Sequence, residues 1–153
     1  MIRTATHADM NAIVSIGKAT LEKSPTYPVT LDDNKARYMV RRCISDRSME
    51  IFVAVVDGEV VGFIMGMMEE HWFSKDCYAT DLTFCVLPEH GDQAVWLLRR
   101  FIRWAKSFPK VKSILLGVSS GMDADGRIGQ LYERHGFTIV GGFYSLIFSQ
   151  EAA

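Results

Sequence analysis

The chain has 153 residues, 48% hydrophobic and 23% charged, the size and make-up of one globular domain able to bury a real core. Its formal net charge of −1 argues against non-specific nucleic-acid binding as its main role.

Residues 2–5 read as a short first strand. Thr6 follows as a helix cap, with Asp9 in the first turn near the positive helix end. Met10, Ile13, Gly17 and Leu21 keep helical spacing. Ser24-Pro25-Thr26-Tyr27-Pro28 breaks that pattern with two prolines and predicts a loop. A second helix is expected from near Thr30, with Ala36, Met39, Val40 and Cys43 on its inner face. Residues 51–56 and 59–69 are strand-like and joined by Asp57-Gly58, a dipeptide that supplies positive φ at little cost, so they predict a hairpin. Residues 78–87 make the next strand of the same antiparallel ladder.

An amphipathic helix then reaches to Phe108. Ala94, Leu98, Phe101, Ala105 and Phe108 form its core-facing stripe, with Arg99, Arg103 and Lys106 largely elsewhere. Residues 113–118 form a short apolar strand, and crossing to it by a helix predicts a parallel pair. A loop over 119–126 leads to a short helix at 127–134, which His135-Gly136 stops. Residues 137–140 and 143–148 are predicted as final strands around Gly141-Gly142. With no internal repeat or interdomain linker, residues 1–153 read as a single domain.

Cys43, Cys77 and Cys85 follow no Cys-x-x-Cys spacing and read as reduced, mostly buried thiols. The scattered histidines and cysteines show no metal-ligand spacing, so no metal site is expected. The start, Met1-Ile2-Arg3-Thr4-Ala5-Thr6-His7, lacks the apolar core of a signal peptide. The longest apolar run, residues 60–68, is far shorter than the ~20 residues of a membrane helix. A soluble, cytoplasmic protein is expected.

The stretch Phe84-Cys85-Val86-Leu87-Pro88-Glu89-His90-Gly91-Asp92-Gln93-Ala94 carries the first chemical signal. It reads as a strand, a short polar loop and a helix start. The first N–H groups of that helix lack intrahelical partners and carry partial positive charge, which suits a phosphate or pyrophosphate. Downstream, Leu131-Tyr132-Glu133-Arg134-His135-Gly136-Phe137 closes a second strand–helix–strand unit.

Taken together, the order of elements and these two motifs resemble the GNAT superfamily of acyl-CoA-dependent N-acetyltransferases, over nearly the whole chain. The resemblance implies a mixed α/β fold: a twisted mixed sheet flanked by helices, whose central parallel strand pair splays at one end to take the pantetheine arm of acetyl-CoA. It implies acetyl-CoA as cosubstrate, with Cys85, Val86, Leu87, Gly91, Asp92, Gln93, Ala94, Val95 and Tyr132 as cofactor-binding positions. The implied acceptor is a primary amine of a small molecule or a protein, with no nucleic-acid or membrane partner. A homodimer is one arrangement the family allows. The loop departs from the family's usual pattern of Arg or Gln, two residues, Gly, one residue, then Gly or Ala. Here it reads His90-Gly91-Asp92-Gln93-Ala94-Val95, with Asp92 adding negative charge beside the phosphate position. That departure supports an alternative, a GNAT-like domain with a binding or regulatory role. Acetylation of aminoacyl-tRNA is a third possibility, which near-neutral charge disfavours.

Acetyl transfer to an amine needs a neutral nucleophile, a donor for the developing oxyanion and a proton for the leaving thiolate. An alkyl amine has a pKa of about 10.4, so it needs a base or an environment that favours proton loss. The resemblance places the backbone N–H near Val86 as the oxyanion donor and Tyr132 as the general acid toward the cofactor sulfur. It offers Asp81 as the general base; two-residue alternation puts Asp81 on one face with Thr83 and Cys85, opposite Leu82, Phe84 and Val86. Glu69, Glu70 and His71 read either as acceptor-binding groups or as a solvated strand end, and adjacent Glu69 and Glu70 cannot share one site on a regular strand. Trp72 and Phe73 read as pocket wall, core or interface. Arg99, Arg100, Arg103 and Lys106 offer charge for phosphates, Arg99 above all, or else form a solvated helix face.

Overall fold

The Asp57-Gly58 turn forms as its residues dictate: Asp57 has φ 50° and Gly58 φ 85°, and the strands on either side fold back on each other. The computed structural model describes residues 1–148. β1 (Ile2–Thr4), β2 (Met49–Val56), β3 (Glu59–Glu70) and β4 (Cys77–Val86) pair antiparallel in sequence order. β5 (Val111–Leu115) then joins β4 in parallel. The crossing between them is made by α3 (Gln93–Lys106), as parallel pairing requires.

The central strands are buried on both sides, so their sequences read as continuous apolar runs. Ile51, Val53 and Phe63 pack with Ile13, Val14 and Ile16 of α1 (Met10–Lys23) and with Val40 and Cys43 of α2 (Asp33–Ser45). Phe52, Ala54 and Ile64 point the other way, onto Leu97, Phe101, Trp104 and Ala105 of α3. The predicted stripe of α3 is thus buried at Leu98, Phe101 and Ala105, with Phe108 packed against the core, and is widened by Leu97 and Trp104. α4 (Arg127–Arg134) follows β5.

Several boundaries differ from the sequence reading. Between Thr6 and α1 the chain makes a 3-10 turn, His7–Asp9. The nearly buried Asp9 carboxylate accepts the Thr6 amide at 2.8 Å and both guanidinium nitrogens of Arg3 at 2.7 and 2.8 Å. Arg3 holds that carboxyl down at about 2, fastening β1 to the start of α1. α2 begins after Asp32, whose side chain takes the Lys35 amide at 2.9 Å, rather than near Thr30. β5 runs earlier than the predicted 113–118.

The larger correction concerns the end of the chain. Residues 137–148, predicted as two strands, form no strand. Ile139 is 88% exposed, Tyr144 100% and Phe148 85%. Strand propensity expresses side-chain packing on a neighbouring strand, and here no neighbour is met.

At the β3–β4 turn, Glu69 and Glu70 are exposed and Trp72 is 95% exposed, so Trp72 is not core. Tyr78 donates to the Glu69 carboxylate, and the His71 ring lies against Phe73 and Tyr78.

One close approach fixes the distance of α3 from the sheet. A side chain at Gly66 would bring its Cβ to 2.4 Å from the Phe101 ring and 3.2 Å from Trp104. Gly66→Ala is therefore expected to force that aromatic pair outward and lower stability by about 1–3 kcal/mol, read as a lower denaturant midpoint with unchanged slope.

Candidate active site

The parallel pair is short. β4 and β5 pair from Cys77 opposite Val111 to Thr80 opposite Leu115, with a one-residue shift of register after Cys77, and there the pairing stops. β4 continues to Val86, still paired with β3 (Phe63 with Cys85, Gly62 with Val86). A wedge therefore opens between residues 81–86 of β4 and the chain leaving β5. The Leu87 amide donates to the Val61 carbonyl at 2.9 Å. Because antiparallel ladders alternate, the Val86 amide one residue earlier points away from β3, toward the wedge.

The wedge begins at an irregularity. Gly66 pairs with Asp81 and Met65 with Thr83, leaving Leu82 as an extra residue in β4. This breaks the alternation on which the sequence reading relied. Cys85 lies in the core under α1 and α2, whereas Asp81 sits opposite Gly66, which faces α3. Asp81 and Cys85 thus do not share a face by simple two-residue counting.

Burial pushes the Asp81 carboxyl up to about 6, while its own backbone amide and that of Gly117 partly offset the rise. Gly117 is where the chain leaves β5, so this carboxyl stands at the apex of the wedge. Tyr132, 7% exposed, comes in from α4 with its ring 5.6 Å from that of Phe137. Burial first, then the charges of Asp81 and Asp123, hold its phenol in the protonated form. The Cys85 thiol is also raised, chiefly by burial, and contacts the Thr83 hydroxyl at 3.2 Å.

Tyr132 lines a cavity of about 980 Å³ that also touches Thr80, Ile102, Leu116, Gly117 and Phe143. The cavity's walls are β5, the second half of α3 and residues 136–143, and it does not reach Val86, Leu87 or the start of α3.

The loop after β4 takes an unexpected path. Pro88–His90 form a 3-10 turn, and Gly91 (φ −55°) and Asp92 (φ −60°) are already right-handed helical where α3 begins. Gly91 needs no glycine conformation, and a Cβ there would meet only the Pro88 carbonyl, at 3.7 Å. The Gln93 side-chain amide donates to the Asp92 carboxylate at 2.7 Å. Ala94 and Val95 complete the first turn. Val86, Leu87 and the α3 start are thus contiguous at the wedge's open end, while Tyr132 and Asp81 approach from its other wall and apex. Glu69, Glu70 and His71 lie at the closed end of β4, beyond Cys77 opposite Glu70.

Some positioning residues escaped the sequence reading. Asp123 accepts the Ile128 and Gly129 amides at 2.9 and 3.2 Å, fixing the start of α4. Arg99 donates to His135 at 3.3 Å, joining α3 to the end of α4. The Ser24 and Thr26 hydroxyls donate to the Ser120 and Ser119 carbonyls, each at 2.6 Å, tying the α1–α2 loop to the segment after β5. An acidic residue shortly before a helix was the available signal for Asp123; the other contacts join residues distant in sequence and left none.

The family model for the acetyltransferase (GNAT) family matches residues 18–137, spanning the wedge, α3 and α4. The chain belongs to the GNAT acetyltransferase family. Solved structures share this GNAT fold at low identity. A predicted acetyltransferase with acetyl-CoA from Clostridium acetobutylicum is 18% identical, with a TM-score of 0.74 over 96% of this chain and 95% of that one. A ribosomal-protein-alanine N-acetyltransferase from Brucella melitensis biovar Abortus 2308 is 21% identical, with a TM-score of 0.69 over 97% and 99%. An aminoglycoside antibiotic 6'-N-acetyltransferase from Acinetobacter haemolyticus is 14% identical, with a TM-score of 0.70 over 100% and 99%. No curated protein matches the chain in sequence.

The raised Asp81 carboxyl has a stability consequence with a definite sign. Between the unfolded value near 3.9 and the folded value of about 6, the native state holds the extra proton, so stability falls as pH rises through that window. Asp81→Asn removes this loss. The variant is expected to gain on wild type by up to about 2–3 kcal/mol between pH 4 and pH 7, as read by denaturant unfolding at the two pH values.

Proposed function

We propose that this GNAT protein is an N-acetyltransferase that moves an acetyl group from acetyl-CoA to a primary amine of a small molecule or protein within a ternary complex. The observation that carries this reading is the parting of β4 and β5 beyond Thr80 and Leu115. It leaves a slot between two strands with a backbone donor turned into it.

The residues present fit the cosubstrate. Val86 and Leu87 would flank the acyl end and the pantetheine arm, with the first amides of α3 toward the phosphates. Acetyl-CoA supplies the activated thioester. The Val86 amide donates to the carbonyl oxygen as negative charge develops there. Asp81 accepts a proton from the attacking amine, directly or through water. Tyr132 gives its phenolic proton to the departing thiolate as the carbon–sulfur bond breaks and the amide bond forms. A carboxyl near 6 is charged at neutral pH and so able to accept, while a buried phenol stays protonated and able to donate. The phenolate recovers its proton through solvent, to which the amine's proton also passes.

Asp92 supports a second reading. Its carboxylate sits at the positive end of α3 and there competes with a diphosphate. On that reading the GNAT domain binds CoA weakly and serves in interaction or regulation. Calorimetric titration with acetyl-CoA separates the two: saturable binding is expected, and none at millimolar ligand would abandon the transferase. Asp92→Asn should tighten that binding by severalfold at low salt; unchanged affinity would show that the carboxylate turns away from the anion.

With an active acceptor in hand, Tyr132→Phe should reduce turnover about 100-fold while acetyl-CoA affinity changes little. Equal turnover, with chemistry shown to be rate-limiting, would remove Tyr132 as the acid.

A further inference from the structure

A slot that takes an acyl-CoA tail needs both of its walls at a fixed separation, and the sheet holds only one of them. β4 stays joined to β3 as far as Val86. The opposite wall, residues 117–121, lies outside every strand and makes no backbone–backbone hydrogen bond among the described residues.

The α1–α2 loop supplies the missing support. α1 packs against β3 and β4, and the loop leaving its end, Ser24-Pro25-Thr26-Tyr27-Pro28, reaches across to the far wall. Ser24 donates to the Ser120 carbonyl and Thr26 to the Ser119 carbonyl, each at 2.6 Å. Both bonds are partly buried, where water competes poorly. The Tyr27 and Ser119 hydroxyls share a third bond. Ser24 also accepts the Thr26 amide at 3.3 Å, which sets the two donors side by side. Pro25 and Pro28 each fix a φ angle, so this short loop is stiff. Gly121 completes the fit from the side of the wall. It has φ 69°, and a Cβ there would come 2.7 Å from the Thr26 methyl and 3.0 Å from the Pro25 ring.

We propose that Ser24, Thr26 and Tyr27 are positioning residues of the transferase site. Their hydroxyls hold residues 117–121 away from β4 and so set the width of the slot before any ligand arrives. This assignment rests on the transferase reading. Without the clasp, the far wall closes on the unpaired edge of β4 or swings outward in most molecules. Only the remainder then presents an open slot, and apparent affinity for acetyl-CoA falls by that fraction.

Calorimetric titration of folded variants with acetyl-CoA tests this. The triple variant Ser24→Ala, Thr26→Val, Tyr27→Phe keeps the shape of the loop and loses its hydroxyls. It should bind at least about tenfold more weakly, as expected when about one molecule in ten is competent. Thr26→Ser keeps the hydroxyl and drops the methyl, and should bind as wild type does. Gly121→Ala pushes the loop off from the other side and should weaken binding as the triple variant does. A folded triple variant with wild-type affinity overturns the proposal, as does a Thr26→Ser variant that loses as much as the triple.

Backbone relaxation of the unliganded wild type tests the same claim even if the triple variant misfolds. Order parameters near about 0.85 are expected across residues 117–121, and values below about 0.6 overturn the proposal. No binding of acetyl-CoA by the wild type removes the transferase reading and this assignment with it. Binding that loss of the clasp leaves untouched removes this assignment alone.

Discussion

The structure turns on a hydrogen-bond ladder that is broken off halfway. Backbone donors and acceptors inside a protein are almost always paired, and each one left unmet costs about 1–3 kcal/mol. β4 forgoes such pairs with β5 beyond Thr80, yet it does not fray, because its other edge stays joined to β3 as far as Val86. Two apolar layers hold it in place. Cys85 packs under α1 and α2, and Phe84 and Val86 pack on the α3 side. The extra residue at Leu82 falls where the strands part, and bulges increase local bending and twist. The gap is thus held open from both faces and exposes backbone where a ligand can complete the ladder.

The electrostatics of the wedge follow from the same geometry. A carboxyl at the apex loses water without gaining a cation, so its proton affinity rises toward neutrality. The nearby phenol is buried beside two carboxylates and is pushed the same way. Environment therefore gives the two groups complementary protonation states at neutral pH, a proton acceptor and a proton donor, on different elements. Their placement depends on distant supports. Asp123 sets the first turn of α4 that carries Tyr132, and the His135–Arg99 contact ties the far end of that helix to α3.

Much of this was legible in the residues. The Asp57-Gly58 hairpin, the apolar stripe of α3 and the helical crossing to a parallel strand each rest on local chemistry with a fixed period. The two motifs around Pro88 and Tyr132 were enough to suggest the family. The bulge was not legible, because Leu82 is an ordinary strand residue and its extra place in the ladder arises from how β3 and β4 pair. Hence the face assigned to Asp81 was miscounted. Nor could the chain announce that Ser24 and Thr26 bind carbonyls nearly a hundred residues away. Residues 137–148 were read as strands from composition alone, and composition cannot supply the edge that a strand needs.

The central claim is that the open side of β4 receives the acyl-CoA tail. Residue-resolved amide exchange with and without saturating acetyl-CoA tests it most directly. The account predicts that the Val86 amide, facing the opening, slows by about tenfold or more on binding, while amides of residues 51–54 in the sheet interior do not change. An unaltered Val86 amide under saturating acetyl-CoA would contradict it.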